Sequence, residues 1–230
     1  VTIAKADGQN AGPIMNFFGG ILGVTTTDVG ATATAVAASP GSVRPGAVVP
    51  VAVSRAAADR WSSYNTSSQL IAFGSPYHYP DGEAGQWTTF LLEENNVPSV
   101  RDLIGDGNPT ALTTGERIWV QPGTKDNLYD HKSKPSIDNT YAGKNITFPI
   151  VDAVLSDTTH SFAPIAGFIG FHVECAGNGC KGKSFVDISG KTVTVGNNWK
   201  IILGYFTTAP AYGGPIGPHY GPLDRCRLCQ

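Results

Sequence analysis

The sequence is poor in charge, in methionine and in long apolar runs. Only 15% of its 230 residues are Asp, Glu, Lys or Arg, against roughly 25% in typical soluble domains, and there is one Met. The formal net charge of -2 supplies none of the clustered basic charge that nucleic-acid binding requires. The longest apolar stretches, such as 146–155 and 201–206, fall far short of the roughly 20 residues that span a bilayer. We therefore expect no nucleic-acid partner and no membrane span in this chain.

The N-terminal residues also lack the features of an export signal. Val1-Thr2-Ile3-Ala4 contains no basic n-region and no apolar h-region. We expect either that a signal has been removed or that the chain is a fragment of a longer protein.

Glycine and proline, in contrast, are abundant. The 28 Gly and 16 Pro favour short strands joined by many turns. A short helix is predicted over 97–104, with Ser99 as its cap. The segments predicted as strands are 87–92, 118–121, 146–154, 165–175, 184–188, 192–195 and 199–207. The sequence thus predicts a mainly β fold of antiparallel sheets, with a sandwich-like second part.

The first 39 residues predict a small α+β unit of strand, helix and strand. Residues 1–5 alternate between apolar and polar, as a strand does. Residues 24–38, rich in Thr, Val and Ala, predict a long strand. Between them we expect a helix that Asn10 caps and Gly23 ends, because apolar residues recur at helical spacing. These apolar residues are Ile14, Phe17, Phe18, Ile21 and Leu22.

The rest of the chain divides at a proline-rich connection. Prolines at 40, 45 and 50 mark a domain boundary, so residues 40–208 are predicted to form a mainly β domain. Residues 209–230 are rich in Gly and Pro and predict an extended or irregular C-terminal tail, which would serve as an assembly arm.

Four cysteines lie in two close pairs, Cys175 with Cys180 and Cys226 with Cys229. Such pairs favour local disulfides in an oxidising compartment, although three connectivities are formally possible and free thiols are the alternative. The second pair has the spacing of half a zinc knuckle, with His219 upstream, but the fourth ligand is missing. A terminal disulfide or an intermolecular link is therefore preferred over a metal site.

Three segments of the chain carry a family resemblance. They are 17–23 (FFGGILG) followed by 29–35 (VGATATA), then 115–125 (GERIWVQPGTK), and finally 146–152 (ITFPIVD) followed by 164–171 (PIAGFIGF). Together they resemble the C-terminal, extracytoplasmic part of TadG-like proteins, which belong to the tight-adherence (Flp) pilus-assembly machinery of bacteria. The resemblance implies a pilin-like region ahead of a specialised C-terminal part. It brings no catalytic residues, and the hydrophobic N-terminal helix that anchors such proteins in the inner membrane is missing from this sequence.

Candidate chemistry is sparse. No Gly-x-Ser-x-Gly elbow exposes a nucleophilic serine, and 74–78 (GSPYH) is more typical of a turn. Asp102, Asp106 and Asn108 offer oxygen ligands but do not follow the twelve-residue calcium loop. We therefore predict no catalytic residue, no metal and no cofactor.

Two functions of different classes remain. The first is a non-catalytic, extracytoplasmic structural or interaction protein of a bacterial surface or pilus assembly, with other subunits or further copies of itself as partners. It would dock through strand edges, through aromatic residues such as Tyr205 and Phe206, or through the tail, and it would self-assemble into a filament in its most specific form. The alternative is a secreted hydrolase acting on a cell-surface polymer, with His78, Asp81 and Glu83 gathered on loops.

Overall fold

The computed structural model of the protein describes part of the chain. The described residues are 2–5, 12–18, 21, 23–32, 34–37, 39–61, 64, 67–74, 85–93, 96–122, 126–130, 132–155, 160–187, 190–207, 216–217 and 226–229. The chain forms two compact units, one of Val1–Ala37 with Arg225–Gln230 and one of Ala38–Asp224. The division thus falls after residue 37, and residues 225–230 lie with the first unit.

The smaller unit consists of short antiparallel strands. These are β1 (Thr2–Lys5), β2 (Ile14–Met15), β3 (Thr26–Thr27), β4 (Val29–Thr32), β5 (Thr34–Ala37) and, near the C-terminus, β19 (Cys226–Cys229). They pair as β1 with β4, β2 with β3, and β5 with β19. The strand predicted over 1–5 is confirmed, but the long strand predicted over 24–38 is broken into β3, β4 and β5.

The helix predicted between Asn10 and Gly23 is wrong. Among its described residues, Ile14 and Met15 form β2, which pairs with β3 in a hairpin. The Asn16 side chain donates to the carbonyl oxygen of Val24 and to the hydroxyl of Thr27, bonds that hold the two arms together. Glycine is unfavourable inside a helix by about 1 kcal/mol per residue, and Gly12 and Gly23 both have positive φ here. Phe17, Phe18 and Ile21 are exposed, so the helical spacing of these apolar residues does not correspond to a buried face.

The larger unit opens with β6 (Ser39–Pro40), β7 (Ser42–Val43) and β8 (Val51–Ser54), followed by helix α1 (Arg55–Trp61). It continues with β9 (Ile71–Gly74), β10 (Gln86–Phe90), α2 (Val97–Asp106), β11 (Leu112–Thr113), β12 (Arg117–Gln121), α3 (Asp126–Tyr129) and α4 (Ile137–Tyr141). The last elements are β13 (Lys144–Val151), β14 (Ser161–Ala176), a 3-10 turn (Gly177–Cys180), β15 (Ser184–Val186), β16 (Thr192–Thr194), β17 (Ile201–Thr207) and β18 (Ile216–Gly217).

Seven of these strands form one mixed sheet, in the order β12-β10-β8-β13-β14-β17-β9. Strand β12 pairs with β10 and also with the first residues of β14, so β12, β10, β8, β13 and β14 form a closed ring of pairings. The pairing of β8 with β13 is parallel, and the other pairings in the sheet are antiparallel. The mainly β prediction is confirmed, with this one parallel pair making the sheet mixed.

Two large apolar clusters lie against the ring. All five ring strands contribute to one of them, through residues that include Ala52, Phe90, Ile118, Val151 and Phe168. In the other, helices α1 to α4 bury Trp61, Ile104, Leu128 and Ile137 against the sheet. A third, smaller cluster surrounds the 3-10 turn and the β15–β16 hairpin. Apolar packing around one sheet is therefore what organises the larger unit.

Helix α2 confirms the helix predicted over 97–104, although its cap differs. The side chain of Asn96 accepts a hydrogen bond from the Ser99 backbone N–H, so Asn96 and not Ser99 is the N-cap. None of the helices in the described ranges has the length and apolar character needed to cross a bilayer.

Candidate functional site

The candidate site is built around a disulfide-closed loop at the end of β14. Cys175 and Cys180 form a disulfide with their Cα atoms 5.3 Å apart, which confirms the first predicted pair. Both cysteines are buried, and residues 177–180 make one 3-10 turn between them. The bridge fixes the direction in which the chain leaves the sheet.

Two carboxylates from the segment between β12 and β13 hold this loop. Asp138 of α4 accepts a hydrogen bond from the Ala176 N–H through Oδ1, at 2.8 Å. Asp130, which follows α3, accepts one from the Asn178 N–H through Oδ2, at 3.1 Å. A hydrogen bond to an ionised acceptor is stronger than one between neutral groups. We call Asp130, Asp138 and the turn 177–180 the clamped loop.

The glycines of the turn are required by this arrangement. A β-carbon on Gly177 would lie 2.7 Å from Oδ1 of Asp130, and one on Gly179 would lie 2.5 Å from Oδ1 of Asp138. Gly177 also has a φ of 53°, which side chains with a β-carbon rarely adopt. Residues 176–179 (AGNG) are therefore the part of the loop that the two carboxylates contact closely.

A third contact ties the clamped loop to the chain before β17. The Asn178 side chain accepts a hydrogen bond from the Asn198 N–H at 2.9 Å. Asn198 has a φ of 59°, a conformation that Asn tolerates better than most residues. The loop is thus attached to three separate parts of the larger unit.

Two clefts flank the clamped loop and share Asp130. The first has a volume of about 310 Å³ and is lined by Tyr129, Asp130, Asn178, Asn198, Trp199 and Lys200. The second, of about 370 Å³, is lined by Asp130, Lys132, Asp138, Asn139 and Gly179. These described lining residues present amide, carboxylate, ammonium and indole groups, which suit hydrogen bonding to a polar partner.

Three titratable residues at the clefts, Asp130, Asp138 and Tyr129, have structural contacts. Asp130 and Asp138 already accept backbone hydrogen bonds. Burial raises the pKa of Tyr129 far above its ordinary value, because desolvation penalises the phenolate. Its ring lies 5.2 Å from that of Trp87, as part of the core. These three residues therefore hold the backbone and the core together beside the clefts.

A separate cleft of about 290 Å³ lies beside α2, lined by Thr89, Leu92, Ser99, Asp102, Leu103, Asp106, Gly107 and Pro109. Asp102 and Asp106, considered above as oxygen ligands, are exposed there. Asn108 is buried, and its side chain is fully engaged with the backbone. Its Oδ1 accepts from the Val48 N–H, and its Nδ2 donates to the carbonyl oxygens of Arg44 and Thr110. Asn108 therefore joins two backbone segments and is not placed to bind an ion.

Of the two aromatic residues expected to be available for docking, Tyr205 is partly exposed and Phe206 is buried. Phe206 is fully buried, with its ring 5.8 Å from that of Phe73 and 5.7 Å from that of Phe171, so its predicted exposure is wrong. The error arises because consecutive strand residues, such as Tyr205 and Phe206, face opposite sides of the sheet. Tyr205 is half-buried and stacks on His172 with ring centroids 4.8 Å apart.

Other predicted residues fall outside this site. His78, Asp81, Glu83 and His219 lie outside the described residues. The backbones of Cys226 and Cys229 lie in β19, but their side chains are not described, so their predicted disulfide stays a prediction. Within the described ranges, no group of three or more His, Cys, Asp or Glu side chains is placed to hold a metal ion.

Only part of the clamped loop was predicted from the sequence. Cysteine spacing and the Gly-rich segment 176–179 predicted the bridge. Asp130 and Asp138 were missed, because they lie 48 and 38 residues from their partners and no local pattern connects them. The capping box of α4, in which Ser136 and Asn139 bond to each other's backbone, was the available signal that Asp138 stands in the first turn of a helix.

No protein-family model matches this chain, and comparisons with curated proteins and with solved structures likewise found no significant match.

Proposed function

We propose that this chain is a non-catalytic, extracytoplasmic structural or interaction protein of a bacterial surface or pilus apparatus of the Tad (Flp) type. The observation that carries the proposal is the disulfide-closed, clamped loop. A bridge between buried cysteines persists in oxidising compartments, such as the periplasm and the cell surface. The carboxylates beside it fix backbone, which is the role expected in a scaffold.

The outer face of the sheet offers a surface for partner contact. Asn145, His172 and Tyr205 lie opposite one another on β13, β14 and β17. The Asn145 Oδ1 lies 2.8 Å from the His172 Nδ1, and the His172 ring stacks on Tyr205. We call these three residues the polar rung. Partly exposed aromatic rings held by neighbours lose little conformational entropy on binding, so a partner would find this surface already ordered.

The C-terminal residues supply a second means of assembly. The structure pairs β18 with β6 in the larger unit and β19 with β5 in the smaller unit. Short terminal strands of this kind can make the same backbone pairings with a neighbouring copy, which is strand addition at an edge. In the specific form of the proposal, this exchange links copies into a filament.

The test is the size of the oxidised, full-length protein in solution. Light scattering over a range of concentrations, with negative-stain imaging, should reveal oligomers or fibres. A monomer at every concentration would contradict self-assembly. Deleting residues 209–230 should abolish assembly, and assembly that continued unchanged would exclude the tail as the link.

The deletion also removes β18, which pairs with β6 in the larger unit, and β19, so its effect on folding needs a separate readout. All four tryptophans, Trp61, Trp87, Trp119 and Trp199, lie in the larger unit, so their fluorescence reports the unfolding of that unit alone. The double variant His172→Ala/Tyr205→Ala tests the polar rung, with Val154→Ser, another exposed position, as its matched control. Weaker assembly in the first variant and unchanged assembly in the second would assign the contact to the rung.

A further inference from the structure

The smaller unit presents a hairpin that is apolar and exposed. It comprises the described residues 14–18, 21 and 23–27, in which β2 pairs with β3 through Ile14 with Thr27 and Met15 with Thr26. We call this segment the apolar hairpin. Met15 is 82% exposed, Phe17 92%, Phe18 72% and Ile21 84%. Large apolar side chains exposed together mark an interaction site, whereas single ones are ordinary.

The hairpin is also free of charge. No Asp, Glu, Lys, Arg or His occurs between Gly8 and Thr27. A protein partner recognised through charge would find no complementary group on this segment. The same absence removes the main cost of placing the segment in a medium of low dielectric constant, since burying a charge is far more costly than burying an apolar or hydrogen-bonded group.

Its apolar surface extends to both faces of the ribbon. Ile14 and Met15 are consecutive in β2, so they point to opposite faces, and both are exposed. At the turn, the Phe17 and Phe18 rings stand perpendicular with centroids 4.9 Å apart, and the turn therefore presents aromatic surface in more than one direction. A protein docked on one face would leave the other face in water. A medium that surrounds the hairpin would cover both.

Several polar groups of the hairpin are satisfied within it. The Asn16 N–H donates to the Thr25 carbonyl oxygen at 2.9 Å, and the Asn16 amide donates to the Val24 carbonyl oxygen and the Thr27 hydroxyl. The Ile21 N–H donates to the Phe18 carbonyl oxygen at 3.3 Å. Backbone groups paired in this way lower the cost of leaving water, and unpaired backbone is what keeps irregular segments out of lipid.

From this combination we propose that the apolar hairpin inserts into the interfacial region of a lipid bilayer. Its strands of two residues are much shorter than the roughly 9 to 11 residues with which a strand spans the hydrocarbon. The insertion is therefore shallow and engages one leaflet. This inference is independent of the assembly proposed above, and it adds a lipid surface to the partners of the chain.

The test is flotation of the full-length protein with vesicles of phosphatidylcholine alone. The wild-type protein should float with them at low and at high salt, because the hairpin is uncharged. Adding phosphatidylglycerol should change the bound fraction little. The double variant Phe17→Ser/Phe18→Ser should lower the partition coefficient by about 100-fold or more, given the free energy of burying two aromatic side chains.

A matched control comes from the larger unit, where Leu91 and Leu92 are also adjacent and exposed. The variant Leu91→Ser/Leu92→Ser should bind vesicles as the wild type does. A Phe18→Trp variant adds a readout of depth, because brominated phosphatidylcholine should quench the new tryptophan beyond the level seen with the wild-type protein.

Three outcomes would overturn the proposal. They are absence of the wild-type protein from phosphatidylcholine vesicles, binding that requires the anionic lipid, and undiminished binding by Phe17→Ser/Phe18→Ser. If that double variant instead loses self-association in light scattering while the wild type ignores vesicles, the hairpin contacts protein. Loss of assembly on deletion of residues 209–230 leaves the vesicle result unaffected, so the two proposals fail separately.

Discussion

Gly179 lies so close to Asp138 that a β-carbon on it would stand 2.5 Å from the carboxylate Oδ1. The same oxygen accepts the hydrogen bond from the Ala176 N–H, and it therefore cannot move aside without leaving that donor unpaired. Gly179 and Asp138, which stands 41 positions earlier, therefore depend on each other structurally, although they belong to different elements.

Gly179→Ala is therefore expected to destabilise the larger unit by about 1 to 3 kcal/mol, the cost of an unpaired buried donor or of an overpacked contact. Urea unfolding followed by tryptophan fluorescence measures this. Gly105→Ala is the control, since a β-carbon there meets nothing within 4 Å. It should leave stability unchanged or raise it by up to about 1 kcal/mol through helix propensity. Equal changes in the free energy of unfolding for the two substitutions would contradict the close contact between Gly179 and Asp138.

Loss of the Cys175–Cys180 bridge is expected to lower the free energy of unfolding of the larger unit by about 2 kcal/mol, the loop-entropy value for so short a closed segment. The double variant Cys175→Ala/Cys180→Ala and the reduced wild-type protein should give similar denaturation midpoints. Reductant should have little further effect on the double variant. A wild-type midpoint that does not respond to reductant would show that the bridge contributes nothing to stability.

Asn108→Ala is expected to cost roughly 2 kcal/mol or more, because it leaves the Val48 N–H without its acceptor inside the protein. Asn108→Asp keeps this acceptor but turns a carboxylate oxygen towards the carbonyl oxygens of Arg44 and Thr110. It should therefore be less stable at neutral pH than at a pH where the new carboxyl is protonated. Asp102→Asn, at an exposed position of the same region, should change stability by less than about 0.5 kcal/mol. Thermal unfolding of the three variants at two pH values makes the comparison.

The titration of Tyr141 is expected to lower the free energy of unfolding at alkaline pH. Burial, and then the charge of Asp106, raise its pKa from 10.0 to about 12. Since the folded state holds this proton more tightly than the unfolded state, the contribution is complete below pH 10 and is lost as the pH rises towards 12. Tyr141→Phe removes both this titration and the hydrogen bond to the Ile104 carbonyl oxygen. The variant should be less stable than the wild-type protein by about 1 kcal/mol at pH 7. This difference in the free energy of unfolding should become smaller above pH 10, because only the wild-type protein loses stability through the titration of Tyr141. A difference in stability between the two proteins that stayed constant from pH 7 to pH 11 would contradict the raised pKa of Tyr141.

Much of the sheet was predictable because its strands are long runs of β-branched and aromatic residues between turn residues. Strands β13, β14 and β17 lie where 146–154, 165–175 and 199–207 were predicted, although β14 begins earlier, at Ser161. Helix α1 was missed because it has only seven residues and two of its buried positions are alanines. Its signal was Ser54, whose hydroxyl accepts from the Ala57 N–H at the helix start.

The failed prediction over residues 10–23 has a different cause. Apolar residues at helical spacing indicate a helix only when a core is available to bury that face, because propensity alone does not hold a glycine-rich segment in a helix. In this chain Met15 and Phe17 remain in solvent, and Asn16 directs the backbone into a hairpin. The candidate site was hidden for a related reason, since Asp130 and Asp138 meet the loop only through tertiary structure.

The closed ring of strands has a consequence for how the chain acquires its structure during synthesis. Val53 of β8 lies beside Ile150 of β13, and Ile118 of β12 lies beside Ala163 of β14. When only the N-terminal half has been synthesised, β8 still lacks its neighbour β13 and β10 still lacks its neighbour β12. The ring of strands can close only when the residues beyond 160, in β14, are available. Contacts so distant in sequence slow folding and prolong the life of unpaired edges. A chain of this design gains from holdase protection until the residues beyond 160 are available to pair with β12 and β13.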